Sequence, residues 1–369
     1  MSRIVIDGRM INESGIGRYL RNLLDNLQKL DQGNEYYILY LKHDYDTWKY
    51  HSHFHKILAD FKWYTVAEQL KLHKILHDLK PDLVHFPHFN VPILYGGKFV
   101  VTIHDLIHQH YSMEKSSTHG KLIFNTKKFG YKKVFSAAVR KSLKILVPSH
   151  FVKQQLVSEW KVKSEKVVIT PEAVDAKLTT IGGQMVLPKA RTPSILYVGN
   201  AHPHKNIEEL ILAFKKVKAF SELKDLKLVL VGKENYFWKA ILKRFHDDKI
   251  IEDIIYTGYV SDERLAALYR NATVYVEPSL EEGFGLPILE AFANSCPVVA
   301  SDIGSLKEVG EDAAIYFNPH DASDMANKIL YVLNNVSVRK ALIEKGKKRV
   351  KLFSWKKMAE QTLKVYNNA

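Results

Sequence analysis

The chain has 369 residues, 46% of them hydrophobic and 25% charged, which fits two folded α/β domains and excludes a disordered or fibrous chain. Its net charge of +14 is uneven: residues 1–180 carry 27 Lys and Arg against 17 Asp and Glu, a net of +10, and the remainder 27 against 23, a net of +4. No apolar run is long enough to span a bilayer, MSRIVIDGRM lacks a signal peptide's apolar core, and the single cysteine, Cys296, excludes an internal disulfide and leads us to expect a reducing cytoplasm.

In chain order, SRIVID reads as a strand, GRYLRNLLDNLQKL as a helix and EYYILYLK as a strand. DLVHF, KFVVTIHD and KILVPS follow as short buried strands, FVKQQLVSEW as a helix and KVVITPEAV as the last strand of the first half. Thr179 to Arg191 (TTIGGQMVLPKAR) has a linker's composition. The pattern then restarts: SILYVGN is a strand, IEELILAFKKVKA a helix, and LKLVLVG, DIIYTGYV and TVYVEPS are strands. ILEAFAN is a helix, PVVAS a strand, and FSWKKMAEQTLKVYNN an amphipathic helix. Alternating strands and helices in two series predict two doubly wound parallel sheets, Rossmann-like, facing a cleft. We expect domains at 1–178 and 192–352, a linker at 179–191, and a C-terminal helix at 353–369 packing back toward the N-terminal domain.

The stretch LEEGFGLPILEAF (Leu280 to Phe292) carries the clearest chemistry. Gly283 and Gly285 permit close backbone approach, and Pro287 suits a first helical turn, where its missing N–H costs nothing. The N–H groups of Gly285, Leu286 and Ile288 then face a crevice at the carboxyl end of a strand, where α/β sheets hold anions. Glu282 and Glu290 flank that position and suit the hydroxyls around such an anion. Thirteen basic residues against Glu159 and Glu165 in 115–166 make a field attractive to polyanions. Phe129, Val134, Phe135 and Val139 lie near one helical face there, which suits docking at an anionic membrane surface and equally suits a core helix with a solvated basic back.

These motifs form a set. YVGNAHPHKN (Tyr197 to Asn206), TGYVSDERLAALY (Thr257 to Tyr269), the EPSLEEGFGLPILEAFANSCPVVAS segment, GIGRY (Gly15 to Tyr19), TIHDL (Thr102 to Leu106) and VPSHF (Val147 to Phe151) together resemble retaining glycosyltransferases of the GT-B fold. The likeness is greatest to glycosyltransferase family 4 and its bacterial mannosyltransferase branch.

The resemblance implies a nucleotide-sugar donor, with GDP-mannose favoured over UDP-sugars, and a glycan or lipid-linked acceptor in surface polysaccharide assembly. By the same carry-over Glu290 holds the ribose and Glu282 sits near the donor sugar. Gly285 and Leu286 hold the diphosphate, with Gly15 and Gly17 approaching it. Lys205 supplies the phosphate-binding charge and His104 sits beside the sugar. Asn200 and His204 stand where many relatives have arginine, so His204 is expected to supply part of that charge. Glu282, Lys205 and His104 are the expected catalytic residues.

No cofactor or metal is expected. Asp44-Tyr45-Asp46 reads as a surface loop, and the histidines at 51, 53, 55, 104, 108 and 110 lack ligand spacing. The alternatives are a GT-B-like epimerase or phosphorylase and, more distantly, a polyanion-binding protein. Nucleic acid is not expected as a partner, since no recognised binding signature accompanies the charge.

Overall fold

In the computed structural model, residues 1–48, 52–110, 121–175, 177–178, 192–220 and 223–369 are described. The expected linker at 179–191, His51 and residues 115–120 of the basic stretch lie outside them. The chain forms two compact units, Met1–Glu172 with Ser354–Ala369, and Ala173–Phe353.

The first unit is built on seven strands: β1 (Arg3–Asp7), β2 (Glu35–Tyr40), β3 (Phe54–Leu58), β4 (Leu83–Phe86), β5 (Phe99–Thr102), β6 (Lys144–Val147) and β7 (Val167–Ile169). Their order is β3-β2-β1-β4-β5-β6-β7, and every recorded pairing is parallel, with Val5 opposite both Tyr37 and Val84. The central strands are buried along their length, as expected when helices cover both faces. β3 has no counterpart in the sequence reading, because its FHKIL pattern of polar and apolar residues lacks the continuous apolar run of its neighbours. β7 ends two residues before the reading's proline, Pro171, having only Val167–Ile169 in the ladder; a proline adds no ladder N–H.

The C-terminal helix Trp355–Asn367 belongs to this unit. It buries Met358, Thr362, Val365 and Tyr366, and packs on the Ser14–Leu30 helix. Tyr366 Oη lies 2.6 Å from His85 Nδ1, while His85 Nε2 is 2.8 Å from Thr102 Oγ1. Tyr19 Oη completes this buried set at 3.0 Å from the same threonine hydroxyl. Burial lowers the His85 imidazole to about 3, so this ring is neutral.

The second unit carries β8 (Ser194–Val198), β9 (Lys227–Val231), β10 (Ile254–Gly258), β11 (Val274–Glu277), β12 (Val298–Ser301) and β13 (Ala314–Phe317). All pair in parallel, in the order β10-β9-β8-β11-β12-β13. Chain order reverses between β8 and β11, which makes the carboxyl ends of those two strands the switch point where sheets of this topology bind ligands. Leu178 is fully buried in this unit's core with Leu289, Phe292 and Val298.

Candidate active site at the β8 and β11 strand ends

β11 is an apolar strand that ends in a charge: Val274, Tyr275 and Val276 are buried, and so is Glu277, at 1% exposure. The loop after it runs Pro278 to Gly285 and turns into the Leu286–Ala293 helix. Gly285 sits at φ +115°, a backbone conformation that residues with a Cβ resist, and a Cβ there would also press on Leu306 Cδ2 at 2.8 Å. Pro287 lies in the first turn, as expected. The N–H groups of Gly285 and Leu286 make no hydrogen bond among the described residues. The third expected donor is corrected: Ile288 N–H is spent within the turn, donating to the Gly285 carbonyl at 3.0 Å.

The β8 end is clamped to this loop. Gly199, at φ +159°, leads into Asn200, whose carbonyl accepts from Tyr197 Oη at 2.6 Å. The exposed Asn200 side chain accepts from the His202 N–H at 3.1 Å. A single 3-10 turn, Pro203–Lys205, follows. Leu280 N–H donates to the His204 carbonyl at 2.7 Å, and Asn206 Nδ2 reaches the Pro278 carbonyl at 3.1 Å. These bonds bring Lys205 to Glu282, 77 positions away, and its ammonium donates to Glu282 Oε1 in an ion pair. The two side chains are only 14% and 13% exposed. His204 is buried, its ring parallel to that of His202 at 5.9 Å.

Two carboxylates therefore sit close to one ammonium. Burial is the largest influence on Glu282 and pushes its pKa up. The charge and hydrogen bond of Lys205, with His204 nearby, outweigh it and hold this carboxyl below the usual range. Glu277 behaves oppositely: its burial prevails and raises it, despite Lys205 and despite hydrogen bonds from Tyr275 Oη and Ser279 Oγ, each 2.6 Å long. Glu290, one turn into the helix, is 2% exposed and accepts from Tyr269 Oη at 3.0 Å. Sequence reading missed Glu277, Ser279 and Tyr269. An acid closing a buried apolar strand was the available signal for the first.

In the first unit His104 follows β5. Its Nδ1 is 2.9 Å from Glu172 Oε1 and its Nε2 is 3.0 Å from the Pro87 carbonyl. Burial depresses this imidazole most, but Glu172, Asp105 and the Pro87 carbonyl outweigh it and raise the pKa. Facing two acceptors, the ring can donate to both only as the imidazolium, the form that the raised pKa favours. Glu172 was not anticipated.

Gly15 and Gly17 lie inside the Ser14–Leu30 helix, not in a loop before it. Gly17 has a packing reason, since a Cβ there would fall 2.4 Å from the Ile11 carbonyl oxygen; Gly15 meets nothing within 4 Å. The expected surface loop at Asp44 is also corrected: Lys42–Tyr45 is a helical turn, and Asp44, 2% exposed, accepts from Asn12 Nδ2.

Known proteins place this arrangement. Residues 14–178 match the family model described as Glycosyltransferase Family 4, and residues 186–349 match Glycosyl transferases group 1. The chain is a glycosyltransferase of the family 4 type. It is similar to O-antigen chain mannosyltransferase B of Escherichia coli, with 28% identity over 301 residues, 79% of this chain and 75% of that one. It is also similar to O-antigen chain mannosyltransferase RfbU of Salmonella typhimurium, with 27% identity over 272 residues, 74% and 70% of the two chains. Among solved structures, sucrose-phosphate synthase from Thermosynechococcus elongatus superposes with a TM-score of 0.78 over 100% of this chain and 99% of that one, at 21% identity. That likeness gives the glycosyltransferase its fold, GT-B, with two Rossmann-like parallel-sheet domains.

Proposed function

We propose that this hexosyltransferase moves a sugar from a nucleoside-diphosphate donor to a glycan or lipid-linked acceptor in surface polysaccharide assembly. GDP-mannose is the favoured donor and UDP-sugars the second choice. One observation carries the reading: two N–H groups without a hydrogen bond among the described residues open a helix at the β8/β11 switch point, on a loop whose Glu282 is paired with Lys205. A diphosphate is the ligand that answers such a set, because each charge-assisted bond contributes about 1.5–3 kcal/mol net. The mannosyltransferase relatives favour mannose as the sugar.

As the sugar–phosphate bond breaks, positive charge grows on the sugar and negative charge on the diphosphate. Lys205 and the helix N-terminus stabilise the negative partner, and Glu290 holds the ribose. Asn200 and His204 border the same anion. His104 acts near the sugar by charge and position, since both of its N–H groups are occupied. The anomeric configuration is retained, with the departing phosphate oxygen taking the acceptor's proton. No metal takes part in this scheme. Incubation with a panel of radiolabelled GDP- and UDP-sugars and a lipid-linked acceptor, with and without EDTA, tests it. Transfer from GDP-mannose undiminished by EDTA is expected; a Mn²⁺ requirement, or hydride or epimer chemistry without an acceptor, contradicts it.

The basic stretch suits a peripheral position at an anionic membrane, with one revision. Phe135 and Val139 are core residues at 0% and 4% exposure, and Val134 is half-buried, so the expected apolar face is not a lipid face. Phe129 is exposed, with Lys133 Nζ 4.6 Å over its ring and Lys132, Arg140 and Lys141 exposed along the same helix. No helix among the described residues is long and apolar enough to cross a membrane. Sedimentation with anionic but not neutral vesicles is expected; equal sedimentation with both removes the electrostatic docking.

A further inference from the structure

We infer that Glu282 is a counter-ion that a nucleotide's diphosphate must displace from Lys205, so that the site disfavours the bare nucleoside diphosphate relative to the sugar-bearing donor. The inference rests on the diphosphate reading given above and concerns how that site is regulated.

The ion pair is held on a rigid frame. The Leu280 N–H to His204 carbonyl bond, at 2.7 Å, and the Asn206 amide to Pro278 carbonyl bond, at 3.1 Å, tie the two loops at the residues flanking Lys205 and Glu282. Asn206 also reaches the Pro319 carbonyl at 2.7 Å. An arriving anion therefore changes the ammonium's partner by side-chain movement, not by parting the loops. The second carboxylate, Glu277, feels the charge of the same ammonium but takes its hydrogen bonds from elsewhere. Both Glu277 oxygens are answered by neutral hydroxyls, Oε1 by Ser279 and Oε2 by Tyr275. It is Glu282 that accepts the hydrogen bond of the Lys205 ammonium.

Exchange has a different balance for the two nucleotides. When a diphosphate takes the ammonium, Glu282, a side chain 13% exposed, keeps its charge but loses its charged donor and is left with the Ser279 hydroxyl, which is costly unless another donor joins it. A donor sugar brings hydroxyls to that oxygen; a nucleoside diphosphate brings none. After transfer, with the sugar gone, Lys205 regains its best partner by returning to Glu282, and the product leaves more readily. Glu282 thus serves both as a sugar acceptor and as a device that limits product inhibition.

Calorimetry with GDP and UDP, and with their hexose conjugates, tests this on the full chain and on Glu282→Gln, Lys205→Ala and the double variant. Glu282→Gln is expected to bind the nucleoside diphosphate about tenfold tighter than the parent, or about 1.4 kcal/mol. It should bind the sugar nucleotide no tighter. The gain must vanish when Lys205 is absent, because loss of simple repulsion from Glu282 would persist without the ammonium whereas loss of the clasp would not. Glu282→Ala must agree in sign. If the parent binds a nucleoside diphosphate and the Glu282 variants bind it equally or more weakly, or if the gain survives Lys205→Ala, the counter-ion role is wrong while the diphosphate site stands. If neither parent nor variants bind any of these nucleotides at millimolar concentration, the diphosphate reading itself falls and the inference with it.

Discussion

The two parallel sheets treat charge at their carboxyl ends in opposite ways. In the first unit, Arg9 after β1 is 2% exposed and answers Asp7 at 2.6 Å and Glu68 at 2.7 Å; Asn90 Nδ2 reaches both Glu68 oxygens at 2.8 Å, and the Tyr64 N–H reaches one of them at 2.8 Å. His104 is closed in the same manner by Glu172 and Pro87. In the second unit, two N–H groups at a helix start are unanswered among the described residues, and a carboxylate-rich loop holds the Lys205 ammonium. The topology is common to both sheets, so topology alone does not make a site. What distinguishes them is where donors are left for a ligand and where the chain has already satisfied its own.

Breaking the closed network should have the largest consequence. Glu68→Ala leaves Arg9 buried with one partner fewer and is expected to cost about 3–5 kcal/mol of stability in urea denaturation. A loss below about 1 kcal/mol would show that the network is no more integral than a surface pair. Lys205→Ala attacks the open side of the comparison. Turnover should fall several hundred-fold, within the roughly 10²–10³ range for removing one donor to a developing anion; a near-parental rate would discard its role.

The smallest and finest test uses two histidines of the first unit with opposite linkage. His85 has a folded pKa depressed to about 3, below its unfolded value, so its contribution is present above about pH 6.5 and is lost as pH falls toward 3. His85→Gln should therefore flatten the acid limb of the stability profile by about 2 kcal/mol at pH 5. His104 is raised, so the contribution of its Glu172 pair is full below about pH 6.5 and is lost as pH rises through the folded pKa. The stability gap between parent and Glu172→Gln should be widest in acid, about 1 kcal/mol, and should narrow above neutrality. A gap that widens with pH contradicts the imidazolium assignment.

Much of this was legible in the residues. Continuous apolar runs such as KILV and VVAS mark strands buried on both faces, and the GFGLP run marks a helix start whose glycine has a left-handed φ. Less legible were elements whose pattern is diluted by polar residues. Val66 and Leu70 in the Val66–Leu79 helix are 78% and 61% exposed, so apolar spacing there does not trace the buried face. Long-range pairs were the least legible. Nothing local to Thr102–Leu106 says that Glu172 will meet His104, and nothing near Lys205 says that Glu282 will be its partner; sheet order decides both. Phe135 and Val139 show a different limit: a helical apolar stripe reads the same whether it faces lipid or core, and of the two readings their burial selects the core.

A crystal structure with GDP-mannose bound tests the central claim most directly. The account predicts the diphosphate within hydrogen-bond distance of the Gly285 and Leu286 N–H groups and of Lys205 Nζ, with the ribose on Glu290. A nucleotide lying elsewhere, with Lys205 still paired to Glu282 at full occupancy of the ligand, would contradict it.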